Sequence, residues 1–533
     1  MIDPALVASA FEGRVQPQRE NFVRQARGDN AAAHRKDVGV VVLARQARGV
    51  EIVAERGADA GHLVGRDLLA LSAAAEDDAA IGFAFGHRTA DGETDGRVVD
   101  GDLAVGAVVV HGMAEASQRL LEMFFEKKAR VVRTNRNSHD ERLYYEGFMD
   151  PMVTISPRGE DRLRSGHPWI YRSDVTSASA AGGDRVVVRS TRGQALGSAF
   201  FSDRSQIALR MLTRGEAPAD DGLIRKRIAA ALAFRESLAI DATAYRLIHG
   251  EADLLPSVIV DRYGDYLVVQ TLSQGADKLL PVLVSALQDI VQPKGILARN
   301  DPRTRALEGL EQKVEVLAGD VPELIAVTEN GVRYDVDVRK GQKTGLFLDQ
   351  RENRAAAALY ARGRALDCFT YNGGFALALA KKCDSVLAFD VSEDAIDHVM
   401  KNAVANGVTV DARVGNVFDE LRGLDRLGER FDTIVLDPPA FAKNKAAITN
   451  AQAGYKEINL RALKLLNPGG MLVTCSCSYN INEGMFGEIV YDAAVDAMAN
   501  VTVVEKRMQG RDHPVLLGVP ETYYLKCFVL RKL

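Results

Sequence analysis

The chain has 533 residues, 47% of them apolar, 26% charged and 6% aromatic, with a formal net charge of −5. At about 150 residues per domain this predicts three or four domains with ordinary cores, and it excludes collagen-like, coiled-coil and wholly disordered chains. No window approaches the roughly 18 consecutive apolar residues of a membrane span, and the start, with Asp3 and no basic flank, is not a secretory signal. Five cysteines (368, 383, 475, 477 and 527) are too few and too uneven for a disulfide framework, so a soluble, cytoplasmic protein is expected.

Residues 1–150 hold 19 Lys+Arg against 24 Asp+Glu, whereas the remainder is balanced at 48 of each. Bulk charge therefore announces no nucleic-acid partner, and any basic surface must be local. The same stretch has no cysteine, no tryptophan and only Pro4 and Pro17, and its cations are 16 Arg to 3 Lys. It reads as sequence translated upstream of a start at Met149 or Met152; the other reading is an extra sheet-containing domain. No cluster in it looks like a site.

From Met152 the texture changes. A short strand is followed by Arg158, Arg162 and Arg164, then by the turn Gly166-His167-Pro168. Alternating segments at 184–190, 194–202 and 206–213 predict a small β-barrel, and 215–222 a linker. A helix is predicted over 223–238, with Arg225, Lys226 and Arg227 in its first turn. Strands at 257–264 and 265–272 and a helix over 277–291 follow. The segment 332–354 reads as a strand pair leading into a helix, which completes a mixed α/β region.

From residue 364, strands at 365–369, 385–391, 410–415, 431–437 and 471–478 alternate with helices such as 393–407. That alternation predicts a parallel, doubly wound sheet whose ligand sits at the carboxyl ends of the strands, near the switch in strand order. The fold class is thus α/β, with a Rossmann-like domain preceded by a small barrel and a mixed central domain.

The segment ALDCFTYNGGFAL places Asp367 at the end of the first strand and Gly373, Gly374 and Phe375 in the turn into a helix. Glycines let backbone approach a ligand closely. Asp390, ending the second strand, is placed to accept hydrogen bonds from both hydroxyls of a ribose. The G-x-G-x-x-G spacing of dinucleotide sites is missing, and Asp367 would repel phosphates. A cofactor with a positive centre and no phosphate, S-adenosylmethionine, fits better. The fourth strand ends in LDPPAF (436–441), a rigid loop where Asp437 could hold a planar base; nitrogen-methylating enzymes put an aromatic directly after the prolines, whereas Ala440 stands here.

The fifth strand ends in TCSCSYN (474–480). A cysteine there is a natural nucleophile, as methylation at carbon 5 of a pyrimidine requires. Cys475 and Cys477 lie two apart and share a strand face; Cys477, nearer the strand end, is preferred. Cys368, Cys383 and Cys527 read as core or helix-end residues. His513 reads equally as a site neighbour or a turn cap. No Cys or His stands at zinc-ligand spacing.

Taken together, KTGLFLDQRENR (343–354), LDCFTYNGGFAL (366–377), LDPPAFAKNK (436–445), GYKEINLRALKLLNPGGMLVTCSCS (454–478) and the later DHPV and YYLKCF segments resemble the RlmI-type ribosomal RNA large-subunit cytosine-5 methyltransferases. The resemblance runs from about Met152 to the C-terminus. It implies a PUA-like RNA-binding domain over 152–218, a central α/β domain over 219–340 and a methyltransferase domain over 341–533. It further implies Cys477 as nucleophile, Asp437 in the proline loop, and Gln350, Arg351, Asp390 and Asn416 beside the cofactor. Asn416 stands where many relatives have Asp. The partner implied is large-subunit ribosomal RNA, with no membrane and with a homodimer left open; the six basic residues named above are candidate RNA contacts. DPPAF lacks the second cysteine of many RNA cytosine-5 enzymes, which leaves the proton-removing base unassigned. A purine nitrogen methyltransferase, a small-molecule methyltransferase and a non-catalytic RNA-binding protein are the alternatives.

Overall fold

The computed structural model describes residues 151–442 and 447–533. Residues 1–150, with both readings of that stretch, and Lys443–Ala446 of the proline-loop segment lie outside the described residues.

The first sheet is built from β1 (Met152–Ile155), β2 (Trp169–Tyr171), β3 (Val175–Ser179), β4 (Arg185–Ser190), β5 (Ala195–Phe201) and β6 (Ile207–Met211), with α1 (Pro157–Arg164) after β1. Its order is β2-β6-β5-β4-β1-β3, antiparallel except for β1 with β4. Alternate residues of β4, Val186 and Val188, meet Val153, Ile155, Ala199, Phe201 and Leu209 in one cluster. A sheet whose inner residues pack on one another is curved about its own core, as the barrel reading expects. The three arginines after β1 lie on α1, which Ser156 caps and Pro157 begins.

Asp220, at the end of the expected linker, caps α2 (Asp221–Ser237). The second sheet has the order β11-β10-β9-β8-β7, from β7 (Ala244–His249), β8 (Val258–Tyr263), β9 (Tyr266–Thr271), β10 (Gly295–Asn300) and β11 (Lys313–Gly319). The helix expected at 277–291 is two helices, α3 (Gln274–Lys278) and α4 (Leu280–Val291), restarting at Pro281 in the first turn of the second. Leu267, Val269 and Ile296 face α2 and α4, while Val268 and Leu297 face the next domain's core.

The strand pair expected within 332–354 is not there. β13 (Val332–Asp337) pairs with the earlier β12 (Leu324–Glu329), and 338–350 is a loop and a short 3-10 turn before α5 (Arg351–Tyr360). Gly341 and Gly345 break the alternation; a Cβ at Gly341 would lie 2.5 Å from the Asp337 carbonyl oxygen.

The third sheet carries the site. Its strands are β14 (Arg364–Cys368), β15 (Ser385–Asp390), β16 (Asp411–Val414), β17 (Phe431–Leu436), β18 (Leu466–Ser476), β19 (Val501–Arg507) and β20 (Lys526–Lys532). They run β16-β15-β14-β17-β18-β20-β19, parallel through β18, with β20 inserted antiparallel between β18 and β19. Helices α6 (Gly374–Ala380) and α7 (Glu393–Asn406) join the β12–β13 hairpin on one face, against Ala365, Val386, Val435 and Val473. Helices α8 (Val417–Leu427), α9 (Ile448–Leu465) and α10 (Glu483–Asp496) cover the other, against Leu366, Phe389, Ile434 and Leu472. Burial on both faces is why these strands read as almost unbroken apolar runs. Strand order reverses between β14 and β17, and the crevice opens at their carboxyl ends. No described helix is long and apolar enough to cross a membrane.

Candidate active site

One cavity of about 490 Å³ lies at this switch point, lined by residues from the turn after β14, the end of β15, the start of α8, the proline loop after β17 and the segment after β18. Asp390, Asn416, Gly374, Phe375, Gln350, Asp437 and Cys477 all line it. Six of the expected cofactor residues and the expected nucleophile thus share one chamber.

The turn after β14 is tightly wound. Phe369 and Tyr371 have φ of +66° and +50°, and Gly373 +87°. Two consecutive glycines permit this turn: Gly373 is left-handed, and at Gly374 a Cβ would lie 3.1 Å from Arg354. Asp390 Oδ2 accepts the Tyr371 N–H at 2.9 Å and Oδ1 the Ser392 N–H at 3.0 Å. Each oxygen keeps a lone pair, which suits a ribose diol. Asn416 Oδ1 accepts the Phe418 N–H as the cap of α8, leaving its amide hydrogens as donors. A chamber with a half-buried carboxylate, a glycine cradle and the aromatic rings of Phe369, Tyr371 and Phe418 fits an adenosine carrying a sulfonium.

Three expected residues are not among those lining the cavity: Gly373, which lies in the turn just before Gly374, Asp367 and Arg351. Asp367 is fully buried beneath the turn, where Oδ2 accepts from Thr370 Oγ1 at 2.6 Å and the Ala376 N–H at 2.9 Å. It shapes the turn from below and is not among the cavity's lining residues; burial, partly offset by the Thr370 hydrogen bond, pushes its carboxyl up to about 7. Arg351 faces away from the cavity, with Nη1 and Nη2 on Asp512 at 3.0 and 2.7 Å. Asp512 also accepts the Arg246 N–H at 2.8 Å, so Arg351 belongs to a buried cluster that ties α5 to β7 of the second sheet. The family resemblance placed Arg351 beside the cofactor as the second residue of a Gln-Arg pair; α5 begins between the two and turns their side chains apart.

His513 belongs to that cluster. Its Nδ1 lies 3.0 Å from Asp512, and its ring meets His249 edge-on at 5.1 Å. It is buried behind the site and does not line the cavity.

Gln350 Nε2 donates to Asp437 Oδ1 at 2.7 Å. Burial and the Asp349 carboxylate push Asp437 up to about 7. Pro438, Pro439 and Phe441 continue the wall, and Phe441 stacks on Tyr455 at 4.7 Å. β18 ends at Ser476, so the shared strand face expected for the two cysteines breaks down. Cys475 lies on the strand, opposite Cys527 on β20, and is fully buried. Cys477, one residue past the strand, turns into the cavity and lies 3.7 Å from the Pro438 carbonyl. Burial, then Asp437, raise its thiol to about 11. Behind it the buried Lys526 donates to the carbonyls of Ser478 at 2.7 Å and Tyr524 at 2.9 Å, and burial pulls it down to about 8. Cys368 and Cys527 are buried core residues and Cys383 lies just past the end of α6, as expected.

Sequence reasoning missed Lys343, Asp349, Arg354 and Tyr524, which also line the chamber. Lys343 Nζ donates to Asp349 Oδ2 at 2.6 Å and the Tyr524 hydroxyl donates to the same oxygen at 2.8 Å. Burial would raise Asp349, but the Lys343 ammonium holds it well below the usual carboxylate range. Arg354 is clamped by Glu329 through two contacts of 2.6 Å. Lys343 and Asp349 stood inside the KTGLFLDQR segment, and Tyr524 inside YYLKCF, as available signals.

The six basic residues are largely engaged within the protein. Arg158, Arg164 and Arg225 pair with Asp174, Glu160 and Asp289, Arg162 lies over Tyr171, and Arg227 donates to the Leu212 and Leu254 carbonyls. Lys226 is exposed.

Residues 153–214 match the PUA-like domain family and residues 303–516 the S-adenosylmethionine-dependent methyltransferase family. The chain is 41% identical over 395 residues to the ribosomal RNA large subunit methyltransferase I of Tolumonas auensis, across 72% of this chain and 100% of that one. It is 40% identical over 394 residues to the protein of that name from Erwinia tasmaniensis, with the same coverage. The solved structure of SMU.776 complexed with SAH matches with a TM-score of 0.63 at 21% identity, covering 71% of this chain and 99% of that one. A chain from Streptococcus mutans matches with a TM-score of 0.62 at 20% identity, covering 71% and 100%. These two likenesses bear on the fold, which they share from the small sheet to the methyltransferase sheet. With a cavity shaped for S-adenosylmethionine and relatives matched along their whole length, the chain belongs to the ribosomal RNA large subunit methyltransferase I family and is an S-adenosylmethionine-dependent methyltransferase.

Proposed function

We propose that this enzyme methylates carbon 5 of a cytosine in large-subunit ribosomal RNA, through a covalent adduct at Cys477. The observation that carries the reading is the position of Cys477 Sγ, past the end of β18, in the same chamber as Asp437 and Asp390 and 3.7 Å from the Pro438 carbonyl. A nitrogen methyltransferase needs no thiol there. The relatives' name supplies the RNA, and the PUA-like domain over 152–218 is the proposed docking surface for it, ahead of the central domain over 219–340 and the catalytic domain from 341.

S-adenosylmethionine would be held by Asp390, Asn416 and the Gly373–Phe375 turn, and supplies an electrophilic methyl group. The protein's own residues do the rest. The target base is unpaired or extruded at a cost of a few kcal/mol. Asp437, neutral below about 7, donates to the ring nitrogen at position 3, steadied by Gln350. Cys477 adds to carbon 6, which makes carbon 5 nucleophilic, and is expelled once the carbon 5 proton leaves.

The test is the full chain with methyl-labelled S-adenosylmethionine and unmodified large-subunit RNA, followed by nucleoside analysis. The reading expects label in 5-methylcytidine, and none with Cys477→Ala while RNA binding persists. Label in a methylated purine would instead favour nitrogen methylation, with Phe441, which lines the cavity, as the stacking residue.

A further inference from the structure

Lys343 sits at φ +53°, in the left-handed region, between Gly341 and Gly345. A non-glycine residue there is strained and persists only where its surroundings over-determine it. Those surroundings are specific. Nζ donates to Asp349 Oδ2 at 2.6 Å and lies 4.3 Å over the Phe347 ring, and Tyr524 holds Asp349 from the other side. All four side chains line the chamber that contains Asp437 and Cys477.

The other cations nearby are spent. Arg354 gives two donors to Glu329, and Lys526 is turned to the Ser478 and Tyr524 carbonyls. Lys343 has three donors, of which Asp349 takes one, and its side chain stays 38% exposed. Its charge opposes the effects of burial and of the neighbouring carboxylates on both Asp437 and Cys477.

Addition of a thiolate to a cytosine creates charge that needs such a partner. The Cys477 thiol first loses its proton to solvent water; the S–C6 bond then forms from the thiolate pair, the C5=C6 π pair moves to C4–C5, and the C4=N3 pair comes to rest on N3 and O2. A proton from Asp437 satisfies N3. We propose that Lys343 is a catalytic residue that donates to O2 of the base and stabilises the developing negative charge as Cys477 adds, with Asp349 and Tyr524 as the residues that position it. This rests on the covalent cysteine reading above. Preorganised donors of this kind act without reorganising during the reaction.

The experiment uses the full chain as wild type, Lys343→Gln, Lys343→Arg and Cys477→Ala. Each is incubated with S-adenosylmethionine and a large-subunit RNA transcript containing 5-fluorocytidine, which blocks the final elimination. Denaturant-stable protein–RNA adduct is followed against time and pH, and cofactor affinity is measured by calorimetry on the same preparations. Lys343→Gln is expected to form adduct about 100-fold more slowly, with cofactor Kd within about threefold of wild type. Its rate should also rise with pH later than the wild type's, because the thiol faces Asp437 and Asp349 with only Lys526 left to oppose them. Lys343→Arg, which keeps the charge, should recover part of the rate. An unchanged adduct rate in Lys343→Gln overturns the proposal while leaving the cysteine mechanism standing. A Kd raised about tenfold with a normal rate at saturating cofactor overturns it too, and assigns Lys343 to the cofactor. No adduct in the wild type overturns the cysteine reading and this proposal with it.

Discussion

Gln350 Nε2 and Asp437 Oδ1 meet at 2.7 Å, tying the turn before α5 to the loop after β17. Asn353 donates to Gln350 Oε1 at 2.6 Å, so the amide cannot flip without losing a buried hydrogen bond. Asp437 is therefore oriented, but it remains a carboxyl group largely shielded from solvent.

That burial makes Asp437 a liability for stability. Its folded-state pKa is raised from the ordinary value of 3.8 to about 7. A raised carboxyl favours the fold fully below the unfolded value, and this contribution is lost as pH rises through the folded value. Asp437→Asn should stabilise the protein at pH 8, by at most about 4 kcal/mol, and make little difference near pH 3, with methylation lost at both. Thermal unfolding of the two proteins across pH 3–8 measures this; a difference that does not grow with pH would refute it.

Arg351 should prove structural. Arg351→Ala leaves Asp512 to the Arg246 N–H and His513, and breaking a buried pair costs about 3–5 kcal/mol. Denaturant unfolding should show that loss, while the folded variant binds S-adenosylmethionine with unchanged affinity by calorimetry. A large rise in Kd without loss of stability would return Arg351 to the cofactor site.

The two cysteines of the strand end should separate cleanly. Cys475→Ala removes a buried thiol from the core and should cost about 1 kcal/mol with activity kept. Cys477→Ala should do the reverse. With its thiol near 11, alkylation of Cys477 by iodoacetamide should accelerate about tenfold per pH unit between 8 and 10, followed by peptide mass analysis.

Asp390→Ala should weaken cofactor binding by about 10- to 100-fold, the loss of charge-assisted hydrogen bonds. Tyr371 and Ser392 lose their acceptor as well, so Asp390→Asn, which keeps one, should fall between wild type and Asp390→Ala. Equal affinities in all three would remove Asp390 from the ribose site.

Much of this was legible because the chemistry sits where strands end. Asp390, Asp437 and Cys477 each close or follow an apolar run, and the change from apolar to polar residues marks where a run stops. Arg351 and Asp367 misled because adjacency in a motif says nothing about facing: one helical step separates Gln350 from Arg351, and the turn that Asp367 supports lies above it. Lys343, Asp349 and Tyr524 come together from a glycine-broken loop and from the approach to β20. No periodicity marks contacts between segments so far apart in the chain. β20 itself runs against the parallel pattern, so alternation of strand and helix could not announce it.

The insertion of β20 between β18 and β19 also sets an order in time. Residues 526–532 follow every other strand of the sheet in the chain, yet they back Cys475, carry Lys526 and fix Tyr524 at the chamber wall. During synthesis, β18 must wait with one edge open until these residues leave the ribosome. Until then Cys477 has no rear wall, so the chamber stays incomplete until translation has passed β20.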